Sequence, residues 1–528
     1  MWALLLLLNL AQIASVLGDF CDPNCNCSSS PVISVQCNYG QLKVCTYFSD
    51  YQSPRSNVDY LQIIPSTLDP QIQRLELNYN ELRQIGSASF QFHPDLLQVD
   101  LANNQLQYIQ DKTFEAQRIL QTLILSHNRL SFMNNSTFHG LSSLEQLDLS
   151  HNAFTVLNDF ALENLHKLKE LKLNGNKISV ISVNAFSGLN YLLSLNLAQN
   201  ELLQVESRPL SLVTSLTNLN LSGNRISELR PNSLSFLSWL TSLDLSANPL
   251  ETEKVSGLSL TGLVSLSSLN MSDLNISSLP TNLLLPPSAL TELLLDRTNI
   301  GEISASAFLS LRRLQHLSVS GCSRLVRIHE ASLLPCPGLT VLNLSDNPRL
   351  SVLPPPLLAT LSNLSRLDVS RCGLTSLTVP DTSVWSPERL ELSDNPWRCD
   401  CGMVSVYRLP AAVRGELTCH QPPGLTLDTA NMTQCDSNSA NSPEEAARRL
   451  VIVTVVVTVV GIVLLTLVGV VGCRYQDKLV YILFRLDRRR CPHQDSLQAF
   501  QDTEEFIHFS SSQHQHKLPT RPVPVTEL

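Results

Sequence analysis

One pattern fixes most of what this chain can become: LxxLxLxxN returns every 24 residues. It reads Leu120, Leu123, Leu125 and Asn128, then Leu144, Leu147, Leu149 and Asn152, then Leu168, Leu171, Leu173 and Asn176. The pattern runs from about Leu75 to Asn395 and makes about 14 units. Two further columns keep the step, one through Ile85, Ile109, Met133 and Leu157, the other through Phe90, Phe114, Phe138 and Leu162. A fixed period of this length is the mark of a repeat architecture. In LxL the two Leu side chains point inward and the residue between them outward, so each unit supplies one short strand. A single unit cannot bury its apolar face, and stacking on neighbours creates one continuous core. The Asn stands where the chain turns off the strand. Its amide can bond main-chain groups that the turn leaves unpaired, so stacked copies predict a ladder. The Phe column fills the broader, convex side.

Composition narrows the function. Of 528 residues 43% are apolar, too many for a disordered chain, while aromatics are only 6%. Leu dominates the apolar set, which argues against a conventional enzyme core. A net charge of -9 argues against nucleic-acid binding, which calls for a clustered basic surface. There is no phosphate-cradling Gly loop, nucleophile elbow or HExxH, and no catalytic, cofactor or metal residues are expected.

Both ends point to a membrane. Residues 1–18 read as a signal peptide, with Leu4 to Leu8 as its apolar stretch and Gly18 as the small residue at its end, although a basic start is missing. Residues 450–473 (Leu450 to Cys473) are uncharged and long enough to span the ~30 Å hydrocarbon layer. Arg474, Lys478, Arg485, Arg488, Arg489 and Arg490 follow the span, against Arg448 and Arg449 before it. That asymmetry places the N-terminus outside, as in a single-pass type I protein of the plasma membrane. Residues 437–449 form a polar stalk. The tail, 474–528, is too short for a kinase domain, so any signalling passes through recruited partners. Cys473 and Cys491 are candidates for palmitoylation. Thr526 and Leu528 end the chain in a form that suits the groove of a PDZ-domain protein.

Cysteines flank the repeat. Cys21, Cys25, Cys27 and Cys37 precede it, and Asn395-Pro396-Trp397-Arg398-Cys399-Asp400-Cys401 with Cys419 and Cys435 close it. Repeat and flanks together resemble the extracellular, cysteine-flanked leucine-rich-repeat membrane proteins, over about three fifths of the chain. The resemblance implies an α/β-type solenoid: a leucine-rich-repeat horseshoe with short parallel strands on its concave face and disulfide caps at both ends. The N-terminal cap is then 19–70, the repeats 71–395 and the C-terminal cap 396–436. It also implies the pairs Cys21–Cys27, Cys25–Cys37, Cys399–Cys419 and Cys401–Cys435, although sequence alone admits other connectivities. A zinc site is the rival reading of these cysteines, and a secreted context favours disulfides. Four ectodomain cysteines are left over. Cys322 and Cys336 bracket one convex segment and suit an intra-repeat bridge. Cys372 reads as a buried thiol at the ladder position, and Cys45 as the candidate for a bond to another chain.

The array is uneven. After Asn248 the ladder position holds Leu274, Thr298 and Cys322 in turn, and Asn returns at Asn347. Either the repeat drifts there, or a bend near 250–325 shapes a partner surface. N-x-[ST] acceptors for glycans stand at Asn134, Asn135, Asn220, Asn270, Asn275, Asn343, Asn363 and Asn431, with Asn26 inside the cap. Asn220, Asn270 and Asn343 each lie between two inward residues, hence on the concave face, where sugars would obstruct its C-terminal part. Units one to six carry no such acceptor in that column. Tyr79, His127, His151 and Lys172 are therefore the candidate ligand face. His127 and His151 share a column one strand spacing apart; such a pair could bind metal or repel when protonated, but Ser-His-Asn is also an ordinary filler at this position.

What the resemblance implies is adhesion, ligand reception or co-reception, with an extracellular protein or a protein on another cell as the partner. The alternative is an auxiliary subunit modulating a channel or receptor in the same membrane. Small residues are sparse in 450–473, which leans against tight helix pairing there. A third reading tethers a secreted factor through Cys45.

Overall fold

The computed structural model describes the backbone of residues 26–28 and 34–36, residue 64, and residues 70–435 apart from 253–259, 280–288, 381–384, 386, 415–416 and 431–434. These belong to one compact unit, Met1–Cys435; the second unit, Asp436–Leu528, lies outside the described residues. So do the expected signal peptide, stalk, membrane span and tail, with Cys473, Cys491, Thr526 and Leu528. Among the described residues no helix is long and apolar enough to cross a membrane.

One strand per unit builds a single sixteen-stranded sheet. Its first two strands, Asn26–Ser28 and Ser34–Gln36, pair antiparallel, and the second runs parallel into Arg74–Glu76. From there every neighbour is parallel and the register follows the repeat: Leu123 opposes Leu147, and Leu147 opposes Leu171. Where the step lengthens to 26 the sheet still closes, with Leu243 opposite Leu269. The inward Leu or Val of each strand from Arg74–Glu76 onward and the phenylalanines Phe90, Phe114, Phe138, Phe186 and Phe308 are buried in one core. Each contributes about 1.5–3 kcal/mol by leaving water.

The Asn column works as a ladder. Asn128 Nδ2 donates to Leu125 O of its own unit (3.1 Å) and to Leu101 O of the unit before (2.9 Å). Its Oδ1 accepts from Leu106 N of the unit before (3.0 Å). The same set recurs at Asn104, Asn152, Asn200, Asn224 and Asn248. It stops at Leu274. Thr298 bonds Leu295 O (3.0 Å) and meets the Cys322 thiol (3.2 Å), and that thiol donates weakly to the same carbonyl (3.4 Å) before Asn347 again bonds its own unit and the one before.

The expected Cys322–Cys336 bridge is absent: both are free buried thiols, as is Cys372. Cys322 stands in the ladder at the strand exit. Cys336 stands in the column of Leu141, Leu165 and Leu189, just ahead of the next strand, where it packs as a small apolar residue. Cys372 donates to Leu344 O (3.0 Å), as a ladder residue does.

At the C-terminal end Cys399 is bonded to Cys419 and Cys401 to Cys435. Trp397 is buried and its Nε1 donates to Leu392 O (2.8 Å). The cap thus covers apolar surface that the last strand would otherwise expose. The side chains of Cys21, Cys25, Cys27 and Cys37, together with Cys45, lie outside the described residues.

Candidate functional site

The concave face is made by the side chains between the paired Leu residues, and most of them serve the fold. Asp100, Asp148, Asn196, Asn220, Asp244, Asn270, Asn343 and Asp368 each accept a hydrogen bond from the main-chain N–H two residues on, at 2.9–3.1 Å. A short side chain with an acceptor oxygen thereby holds the turn that leaves the strand. Ser150, Ser222, Ser246, Ser345 and Ser370 add a hydroxyl bond to the same oxygen. The triplets Asn220-Leu221-Ser222 and Asn343-Leu344-Ser345 are the Asn version of Asp148-Leu149-Ser150. Their match to a glycan acceptor therefore has a structural origin as well.

Three positions carry apolar or cationic side chains instead: Ile124, Lys172 and Leu294. Two concave cavities fall there. The first, of about 60 Å³, is lined by Thr122, Ile124, Gln146, Asp148, Glu170 and Lys172. Its floor is half-buried Ile124, and its polar wall is internally satisfied: Lys172 Nζ meets Glu170 at 3.2 Å, and Thr122 donates to Gln146. The second, of about 230 Å³, includes Glu292, Leu294, His316, Val341, Asn343 and Arg366. A position that abandons a local structural rule without a compensating bond is where function is sought first.

The expected face divides. Lys172 lies at the first cavity. Tyr79, His127 and His151 stand past the strand exit, all with left-handed φ of 53–57°. The same turn position holds Asn103, Gln199, Asp273, Arg297, Asp346 and Arg371, again with positive φ. These residues form a rim rather than a floor. His127 and His151 are brought together, their rings stacked at 4.2 Å and 9° apart. Face-to-face rings do not aim two nitrogens at one ion, and no group of three His, Cys, Asp or Glu side chains suited to a metal exists among the described residues. Farther along the rim Arg297 is held by Asp273 through two bonds (2.7 and 2.6 Å) and Arg371 by Asp346 (2.6 and 2.7 Å). Hydrogen bonding to Arg371 holds the Asp346 carboxyl below its usual range.

The edge of the sheet changes along its length. From Thr217 on, Thr241, Ser267, Thr291, Thr340 and Ser365 each donate a hydroxyl to the carbonyl of the preceding unit. The earlier units place Leu97, Gln121, Glu145, Lys169 and Leu193 in that column, and Lys169 pairs with Glu145 at 2.8 Å. The earlier half presents varied side chains, the later half mainly hydroxyls bonded within the fold, with Gln315 and Glu388 the exceptions. Among the other acceptors, Asn135, Asn275 and Asn363 are exposed and Asn134 is half-buried, while Asn431 lies outside the described residues.

Ile124 is not among the residues that the sequence singles out. The available signal is that it stands where its neighbours carry Asp.

Residues 70–130, 94–154 and 147–202 match a leucine-rich-repeat family model, and 215–237 match a second one. No curated protein sequence matches the chain. Among solved structures the fold is similar to the TLR13–ssRNA13 complex (TM-score 0.54, 22% identity, 70% of this chain and 54% of that one). It is also similar to the APL1 leucine-rich repeat domain (0.54, 23%, 69% and 95%). A chain of the Drosophila Toll–Spatzle complex is a third likeness (0.53, 20%, 68% and 57%). This chain covers little more than half the length of the TLR13 and Toll–Spatzle chains, and at these identities the likeness is one of fold. Residues 70–202 and 215–237 thus carry matched leucine-rich repeats, and the fold of the described residues is that of a leucine-rich-repeat solenoid.

Proposed function

We propose that this is a cell-surface glycoprotein that binds a protein ligand, or a protein on another cell, through the concave face of units one to six. It acts as an adhesion molecule, receptor or co-receptor, and its short, non-enzymatic tail serves localisation or adaptor recruitment. The observation that carries the reading is the cavity at Ile124 and Lys172, where the sheet gives up its own turn-holding side chains. The paired termini of the sequence support a single-pass type I placement in the plasma membrane, with residues 19–449 outside. TLR13 with ssRNA and Toll with Spatzle are ligand complexes of the same fold, which supports ligand reception in general. Palmitoylation at Cys473 or Cys491 and a PDZ partner at Thr526 and Leu528 belong to the same reading of the tail.

The test is binding of residues 19–449, made as a soluble protein, to cells displaying a library of extracellular proteins. The reading predicts a saturable partner that is lost when Tyr79, His127 and Lys172 are replaced together. Complexes recovered only with the full-length chain in its own membrane would transfer the role to an auxiliary subunit.

A further inference from the structure

We propose that the second concave cavity is a separate docking point for an acidic, extended protein segment that carries an apolar side chain between carboxylates. This goes beyond the first cavity, sharing with it only the protein-binding reading of the sheet.

The register places the groups. His316 opposes Val341, and Val341 opposes Arg366, in one column of neighbouring parallel strands. His316 and Arg366 therefore stand two strand spacings apart, about 10 Å, with Val341 between them. Leu294 occupies the adjoining column, where other strands carry Asp or Asn. Leu294 and Val341 are both half-buried and supply an apolar floor to a cavity of about 230 Å³.

The charges around that floor are not balanced in their engagements. Every carboxylate of the wall already accepts a hydrogen bond within the protein. Glu292 takes the Ser268 hydroxyl (2.7 Å), and Asp368 takes both the N–H and the hydroxyl of Ser370 (3.0 and 2.7 Å). The two basic side chains take part in nothing comparable: His316 and Arg366 are exposed, and neither makes a side-chain hydrogen bond or ion pair with any described residue. The next Arg along, Arg389, is by contrast bonded to Glu391 at 2.6 Å. An Arg fork left open beside an apolar floor favours a carboxylate that arrives together with apolar contact. The first cavity differs on this point, because its Lys172 is already paired with Glu170.

Asn343 lines the same cavity, and Asn270 opposes Leu294 across one strand pair. Sugars at either position would cover the floor, so occupancy of these two sites sets whether the point is open. Ser345→Ala and Ser272→Ala remove both acceptors while keeping Asn343 and Asn270. Ala102 and Ala198 show that the repeat accepts Ala in that column.

The experiment measures a fluorescein-labelled Glu-Leu-Glu-Leu-Glu-Leu-Glu peptide binding to the purified full-length chain carrying those two changes. Saturable binding is expected, weakened about tenfold by Arg366→Glu and by replacing the peptide's Glu with Gln, and falling as salt rises. Lys172→Glu, in the first cavity, leaves it unchanged, so failure here and failure of the first site are told apart. Because Arg366 has no side-chain partner among the described residues, its substitution leaves the melting temperature unchanged; His316→Gln is a second variant, expected to weaken binding less. Absence of saturable binding, equal binding of the Gln peptide, or binding within twofold after Arg366→Glu overturns the proposal.

Discussion

The Asn ladder is where single side chains matter most. Asn152 bonds Leu125 O, Leu149 O and Ser150 O and accepts from Leu130 N. Asn152→Ala strands these buried groups and should cost about 3 kcal/mol in chemical denaturation. Cys322→Asn supplies bonds that the thiol makes poorly and should gain about 1 kcal/mol, by the same measurement. The buried thiols titrate late: burial pushes Cys336 up to about 12 and Cys372 up to about 11. Neither should take up iodoacetamide at pH 8 until the chain unfolds, and labelling of the native protein would contradict the burial. Both pKa values are raised on folding, so their contribution is fully present below the unfolded thiol value of ~8.5. It is lost as pH rises from there through 11 and 12, and stability should fall in that window. The ladder was legible because a buried Asn at a fixed step has one obvious use. The second set of turn-holding Asp and Asn was not, since the same residues read as solvated filler. The Cys322–Cys336 expectation failed because nearness along the chain crosses from the strand exit to the approach of the next strand.

At the scale of the element, the strand register was legible in full, since a two-residue alternation locked to a 24-residue step leaves one way to stack. What the pattern hid is how unequally the units are held. Between Asn248 and Asn347 the ladder passes through Leu274, Thr298 and Cys322, and each gives up bonds that its neighbours keep. In a solenoid, stability is a sum of unit and interface terms, so opening should begin there. Native-state hydrogen exchange should find the amides of Ser268–Asn270, Glu292–Leu294 and His316–Ser318 less protected than those of Thr122–Ile124 through Ser194–Asn196. Equal protection along the array would show that strand pairing alone carries the load. The break also adjoins the second cavity, which starts at Glu292 and Leu294, so the least-braced units carry part of that surface.

For the whole molecule, the C-terminal cap closes one end of the stack. Its disulfides close loops of 20 and 34 residues, and losing one costs about 3–4 kcal/mol in the chain-entropy picture. Replacing Cys401 and Cys435 by Ala should accordingly lower the melting temperature, with the loss concentrated in the last units. The solenoid and its C-terminal boundary were legible from the repeat and its flanking cysteines. The working surface was only partly so. Spacing brings Lys172 and the rim residues onto one side, but only the structure separates a rim of left-handed turn residues from a floor where the fold's own rule is broken. That broken rule is the central claim, and Ile124→Asp tests it directly. The change recreates the Asp-Leu-Ser triplet of residues 148–150 and holds the turn, so the fold should be as stable as the parent or more so, while an acidic floor ends ligand binding at the first cavity. Unchanged melting with lost partner binding is the predicted result. Retained binding would contradict the account, and so would a clear loss of stability.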